Sequence, residues 1–211
     1  MRRNRYLVVL ALTPVFLLQG CPAAVIGAGG MYAVSKAEDR RTTGTQLDDN
    51  AIESRANARI SEQIGERGQI SVTAFNRSVL LTGEAWDEAT RELAEKIVAE
   101  LPTVRSVANE IQVGSLSSAS SRVNDAAITA KVKSAFINVQ GISSSHVKVV
   151  TEAGVVYLLG VVTEAEADKA VEIARTTGGV RKVVKLFEYC KETDEQCRPA
   201  TPPEKAKSQR V

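Results

Sequence analysis

The feature that most constrains this chain is that it repeats itself. Registering Gly83 on Gly160 sets Ile70 over Val147, Val72 over Val149, Val79 over Val156 and Leu81 over Leu158, all at an offset of 77. Further out, Ile52 falls opposite Ile128, Val104 opposite Val180, Val107 opposite Val183 and Ile111 opposite Phe187, at an offset of 76. A one-residue loop difference accounts for the change. Self-similarity at this period means two copies of one small domain. The copies are expected over residues 46–114 and 121–190, joined by the Gly/Ser-rich linker 115–120.

Each copy carries the same pattern. In the first, Ile52, Ala56, Ile60 and Ile64 recur every four residues, and Asp48-Asp49 ahead of them supplies a cap and favourable charge for a helix start. In the second, Ile128, Val132, Ala135, Phe136 and Val139 follow Asn124-Asp125 in the same way. Alternating runs then predict hairpins, 70–73 with 79–81 through Asn76-Arg77, and 146–150 with 155–159 through Ala153-Gly154. A second helix is expected to bury Ala89, Leu93, Ile97 and Leu101, or Ala167, Ala170, Val171 and Ala174. A closing strand, 104–113 or 180–189, returns parallel to its predecessor by the crossover rule. The fold class is α+β, two tandem αββαβ units with two helices on a three-stranded mixed sheet.

The N-terminus reads as an address. Arg2, Arg3 and Arg5 precede an apolar run, Tyr6 to Leu18, and Leu18-Gln19-Gly20 stands directly before Cys21. Residues 1–20 therefore read as a lipoprotein signal peptide, with Cys21 as the acylation site and 21–45 as a flexible, lipidated tether. An uncleaved anchor continuing to Val34 is the alternative, but Gln19 and four glycines interrupt it. A diacylglyceryl thioether plus an acylated amine exceeds the two signals that stable anchoring needs. Pro22 rather than Asp follows the cysteine, which points to the outer membrane, on its periplasmic face.

With the signal arginines removed, 24 basic residues face 25 acidic ones, so the mature chain lacks the global positive charge that attracts nucleic acid. Cys190 and Cys197 lie in an oxidising compartment and are candidates for a local disulfide, two free thiols being the alternative. His146 is the single histidine, which leaves few ligands for a metal, and neither Gly-x-Ser-x-Gly nor His-Glu-x-x-His occurs. No catalytic residue and no cofactor is expected, and His146 reads as a surface residue at a strand edge. The tail 191–211 reads as a solvated, disordered extension.

The pattern Val-x-Val, turn, apolar-x-Leu-x-Gly, Ala-rich helix and Val-x-x-Val resembles the BON domain, twice. With the lipobox and the segment Asp39 to Asp49, the whole resembles the dual-BON outer-membrane lipoproteins of proteobacteria. The resemblance implies a protein that binds anionic phospholipid such as phosphatidylglycerol, supports envelope integrity, and associates with division sites or the outer-membrane assembly machinery. On the residues themselves, the first helix of the second repeat offers Arg122, Lys131 and Lys133 with one acid, Asp125, near its start, and we assign lipid contact there, the alternative being that Lys131 and Lys133 are only the solvated face of an amphipathic helix. Relatives carry a large aromatic at the place of Ala127, so the insertion expected here is shallower or shifted to Ile128. An adaptor that docks on an envelope machine through both domains is the rival reading. Trp86 is expected to staple a helix entry onto the sheet, and Gly83 and Gly160 to end strands where a side chain would crowd the packed helix.

Overall fold

The computed structural model describes residues 39–115, 118–137, 139 and 142–197. The signal peptide, Cys21 and the tail beyond Cys197 lie outside the described residues. Helix α1 (Thr43–Gln63) leads into a hairpin of β1 (Gly68–Phe75) and β2 (Ser78–Ala85), then α2 (Glu88–Ala99), β3 (Ser106–Asn109) and β4 (Gln112–Val113). The second unit repeats the order with α3 (Ala119–Ile137), β5 (Val147–Glu152), β6 (Val155–Val162), α4 (Glu164–Thr176) and β7 (Lys182–Tyr189). In each sheet the first two strands are antiparallel and the crossover strand lies parallel to the central one.

Both first helices begin earlier than their Asp-containing segments suggest. Thr42 caps α1 by accepting from the Thr45 amide at 3.1 Å. Asp49 and Asp125 instead lie inside their helices, buried, with their carboxylates aimed across the unit at a hairpin turn. Asp49 accepts from the Asn76 and Arg77 amides at 2.8 and 2.7 Å, and Asp125 from the Ala153 and Gly154 amides at 2.9 and 2.8 Å. All four turn residues have positive φ, which a two-residue turn of this hand requires. Arg77 and Ala153 pay a steric penalty there that glycine would not. Charge-assisted bonds to both turn amides offset it.

Each helix pair packs on one face of its own sheet. In the first unit Ile52, Ala56, Ile60 and Ile64 meet Val79, Leu81, Ala94, Ile97 and Val98. The second core places Ile128, Val132 and Phe136 on Val156, Leu158, Ala167, Ala170 and Ala174. Ala89 was expected in the first core and is exposed; Thr90 and Ala94 occupy the inward positions, because Asp87 caps α2 through the Thr90 amide and so fixes the helix phase.

A third apolar cluster lies between the two sheets. Phe75 and Leu80 from the first unit meet Tyr157, Leu159 and Val161 from the second, with Cys190 and Cys197 at its edge. The central strands β2 and β6 are thus covered on both faces, which is why seven of the eight residues of each are buried; β6 reads as a continuous apolar run, whereas β2 carries Thr82 and Glu84. Polar contacts frame this seam. Lys148 meets Glu53 at 3.0 Å, while Glu188 accepts from Asn76 at 2.8 Å and from Arg105 at 3.2 Å.

Several local expectations are corrected. The strand expected over 104–113 is interrupted between β3 and β4, opposite Thr82-Gly83, with the pairing register unchanged across the gap. Gly83 and Gly160 lie inside β2 and β6, and a side chain there would strike the partner strand's backbone rather than a helix: the Gln69 carbonyl oxygen for Gly83, the His146 carbonyl oxygen for Gly160. Trp86 is 59% exposed rather than buried at the helix entry, and its backbone N–H donates to the Arg67 carbonyl at 3.0 Å. Residues 191–197 are ordered, since a disulfide joins Cys190 to Cys197 and a 3-10 turn spans Glu195–Cys197.

Candidate functional site

Helix α3 has two unlike sides. Toward the core, Asp125, Ile128, Val132 and Phe136 are buried. Ile128, at 1% exposure, fills the second core and cannot enter a membrane without unfolding the domain, which corrects the expectation that it inserts. On the outer side Val123, Ala127, Ala130, Ser134 and Ile137 follow one another at intervals of four and three residues, the spacing of one helical stripe. Val123 is 72% and Ile137 73% exposed, values unusual for branched aliphatic residues with nothing to cover them.

Cations border this stripe. Lys131 stands on one flank, Arg122 and Lys133 on the other, all exposed. The single acid of the helix, Asp125, is buried and committed to the hairpin turn, so the outer surface presents no carboxylate. The matching stripe of α1 is Leu47, Ala51, Ser54, Ala58 and Ser61: Leu47 is exposed like Val123, but Ser61 stands where α3 has Ile137, and Arg55 and Arg59 are mixed with Asn57 and Glu62 around it. The two helices sit at equivalent places in equivalent folds, yet only α3 carries a branched aliphatic at both ends of the ridge beside Lys131 and Lys133, with no exposed carboxylate of its own; Glu152 of β5 is near enough to Arg122 to feel its charge. Sequence reasoning found the charges; it missed Val123 and Ile137, whose signal was their four-and-seven spacing around Ala127 and Ala130.

The chain ahead of α1 is not a loose tether where it is described. Arg40 grips Glu166 of the second unit with two hydrogen bonds, 2.6 and 2.9 Å, and donates to the Val161 carbonyl at 3.0 Å. Glu166 also accepts from the Thr163 amide at 2.8 Å, completing a capping box at the start of α4. Burial opposes its ionisation, but the bonds from Arg40 and Thr163 and the charges of Arg40 and His146 prevail and hold the carboxyl at about 2. His146 lies 3.3 Å from Glu166, so it has the carboxylate neighbour that was not evident from its strand context. Arg41 stacks on Phe75 at 4.2 Å and bonds Asp39 and Asp49.

Among the described residues no cluster of three His, Cys, Asp or Glu could hold a metal ion. Among them also, no helix is long and apolar enough to cross a membrane.

The repeated αββαβ unit with its inward helix faces defines a small domain class, and the BON domain model matches residues 48–115 and 124–191. The chain belongs to the BON-domain family. Within it, the outer membrane lipoprotein DolP of Haemophilus influenzae is 36% identical over 182 residues, covering 85% of this chain and 94% of that protein. The 21 kDa hemolysin of Actinobacillus pleuropneumoniae is 37% identical over 153 residues, covering 72% of this chain and 79% of that protein. Osmotically-inducible protein Y of Escherichia coli is 28% identical over 176 residues, covering 76% and 88%. This is an outer-membrane lipoprotein family of dual-BON architecture, and a non-enzymatic one.

Proposed function

We propose that the protein is held at the periplasmic face of the outer membrane by acyl chains on Cys21 and reads anionic phospholipid, phosphatidylglycerol foremost, through the outer surface of α3. One observation carries this: an exposed apolar stripe from Val123 to Ile137, flanked by Arg122, Lys131 and Lys133, on a helix whose only acid is buried. Apolar groups at the headgroup boundary and cations beside phosphates are the two contributions that interfacial binding requires. The first BON unit packs against the second through the sheet seam and stiffens its presentation. Support of envelope integrity, including at division sites, follows from concentrating such a reader where anionic lipid gathers.

The test uses the mature chain, residues 21–211 with Cys21→Ser, so that neither acyl chains nor the apolar signal segment supplies affinity. It should sediment with phosphatidylglycerol-rich vesicles and not with purely zwitterionic ones, and lose binding as salt rises toward physiological strength. Each cation near an anionic surface is worth about 1 kcal/mol, so Lys131→Glu with Lys133→Glu should weaken binding at least about tenfold. Absence of binding at both salts would favour docking on an envelope protein machine, with the acyl chains as the sole membrane contact.

A further inference from the structure

Next to the C-terminal end of the α3 stripe the two BON units enclose an open cleft of about 410 Å³. The second unit lines it with Lys133, Ile137, Ser144, Ser145 and Lys148, and the first contributes Arg41 and Phe75. No acidic side chain lines it, although Asp39 and Asp49 pair with Arg41, and Glu53 with Lys148. The Lys148 ammonium has three N–H donors, and two are engaged, by Glu53 at 3.0 Å and the Ala74 carbonyl at 3.2 Å. Lys133 is exposed, and Ser144 beside it is exposed as well. Ile137 belongs to both the cleft and the stripe, so the two surfaces are continuous.

We infer that this interdomain cleft is a binding subsite for a phosphate ester anion, the headgroup phosphate of a lipid whose acyl chains lie along the α3 stripe. Lys133, the remaining donor of Lys148 and the Ser144 hydroxyl are the groups that would meet the phosphate oxygens. Phe75 and Ile137 would cover the glycerol carbons. The inference deepens the membrane reading above and rests on it, adding two things: a defined pocket in place of diffuse attraction, and a contribution from the first BON unit. It also breaks the symmetry between the two flanks of the stripe. Diffuse attraction treats Lys131 and Lys133 alike, whereas a pocket needs Lys133 and not Lys131.

The experiment is amide chemical-shift titration of the same mature Cys21→Ser chain, residues 21–211, with dihexanoyl phosphatidylglycerol below its micelle concentration, and in a second arm with inorganic phosphate. Saturable shifts centred on Ser144, Ser145 and Lys148, weakened at least threefold more by Lys133→Gln than by Lys131→Gln, are expected. Ser144→Glu, which sets a carboxylate into the cleft at an exposed position and breaks no core contact, should abolish them with the remaining spectrum unchanged. Equal effects of the two lysine substitutions would overturn the pocket. So would undisturbed cleft amides in a chain that still binds phosphatidylglycerol-rich vesicles, an outcome that leaves the membrane reading intact. Inorganic phosphate saturating the same amides as tightly as the lipid would overturn the headgroup assignment. Cleft shifts from the soluble lipid without any vesicle binding would instead defeat the membrane reading.

Discussion

Asp125→Ala is the most exacting test of how each unit is held together. The carboxylate is 5% exposed and is the acceptor for two turn amides, at 2.9 Å from Ala153 and 2.8 Å from Gly154. A hydrogen bond to a charged group contributes about 1.5–3 kcal/mol net, and removing the acceptor also strands buried donors. Two such bonds give an expected loss of about 3–5 kcal/mol, at the upper end of what single substitutions cost. Positive φ at Ala153, 47°, adds to the loss, since the turn would no longer be held against its own strain. Urea unfolding followed by far-UV circular dichroism reads this as a fall in midpoint at unchanged slope. Asp49→Ala should behave similarly and additionally remove one of the two carboxylates that hold Arg41, leaving Asp39. A loss under about 1 kcal/mol for Asp125→Ala would refute the reasoning, because it would mean that water satisfies the turn amides as well as the carboxylate does.

Gly83→Ala should cost about 2–4 kcal/mol, since φ is +105° and the new methyl would strike the Gln69 carbonyl; Gly178→Ala, with open space around it, is the control that should stay within about 0.5 kcal/mol in the same urea measurement. Glu166 is depressed to about 2 in the folded chain, so its contribution is present above the ordinary carboxyl range and is lost as pH falls from about 4.5 toward 2. Arg40→Ala should flatten that acid-side decline in melting temperature while leaving the profile above pH 6 parallel to that of the parent; an unchanged acid limb would show that Arg40 is not the group holding Glu166 ionised.

The outline of the fold was legible because it rests on short-range periodicity. Ile52, Ala56, Ile60 and Ile64 mark one helix face without reference to anything distant, and the repeat registered each element against its copy. Asp49 and Asp125 misled the helix starts, because an acid ahead of an apolar run looks like a cap unless one knows that a turn 28 or 29 residues onward needs its oxygens. Of the candidate site, the cations Arg122, Lys131 and Lys133 were readable from composition. Ile128 stands in the buried-face period opposite Ile52 and yet is also the residue expected to insert; the period is the better guide, since Ile128 is buried and Ile137, which lies outside that period, is exposed.

Local sequence by itself determined two αββαβ units, their strand order and a helix richer in basic than acidic residues. Tertiary structure decided what those units do to each other. It buried Leu80 against Tyr157 and Leu159, clamped Arg40 onto Glu166, and brought Arg41 and Phe75 from one repeat to a cleft lined by Lys133 and Lys148 of the other. The physical reason is that a sheet has two faces and its alternation reports only that one of them is apolar. Where both faces of β6 are apolar and Leu80 breaks the polar second face of β2, the pattern shows that something covers that face, and only packing in three dimensions shows that it is the other repeat.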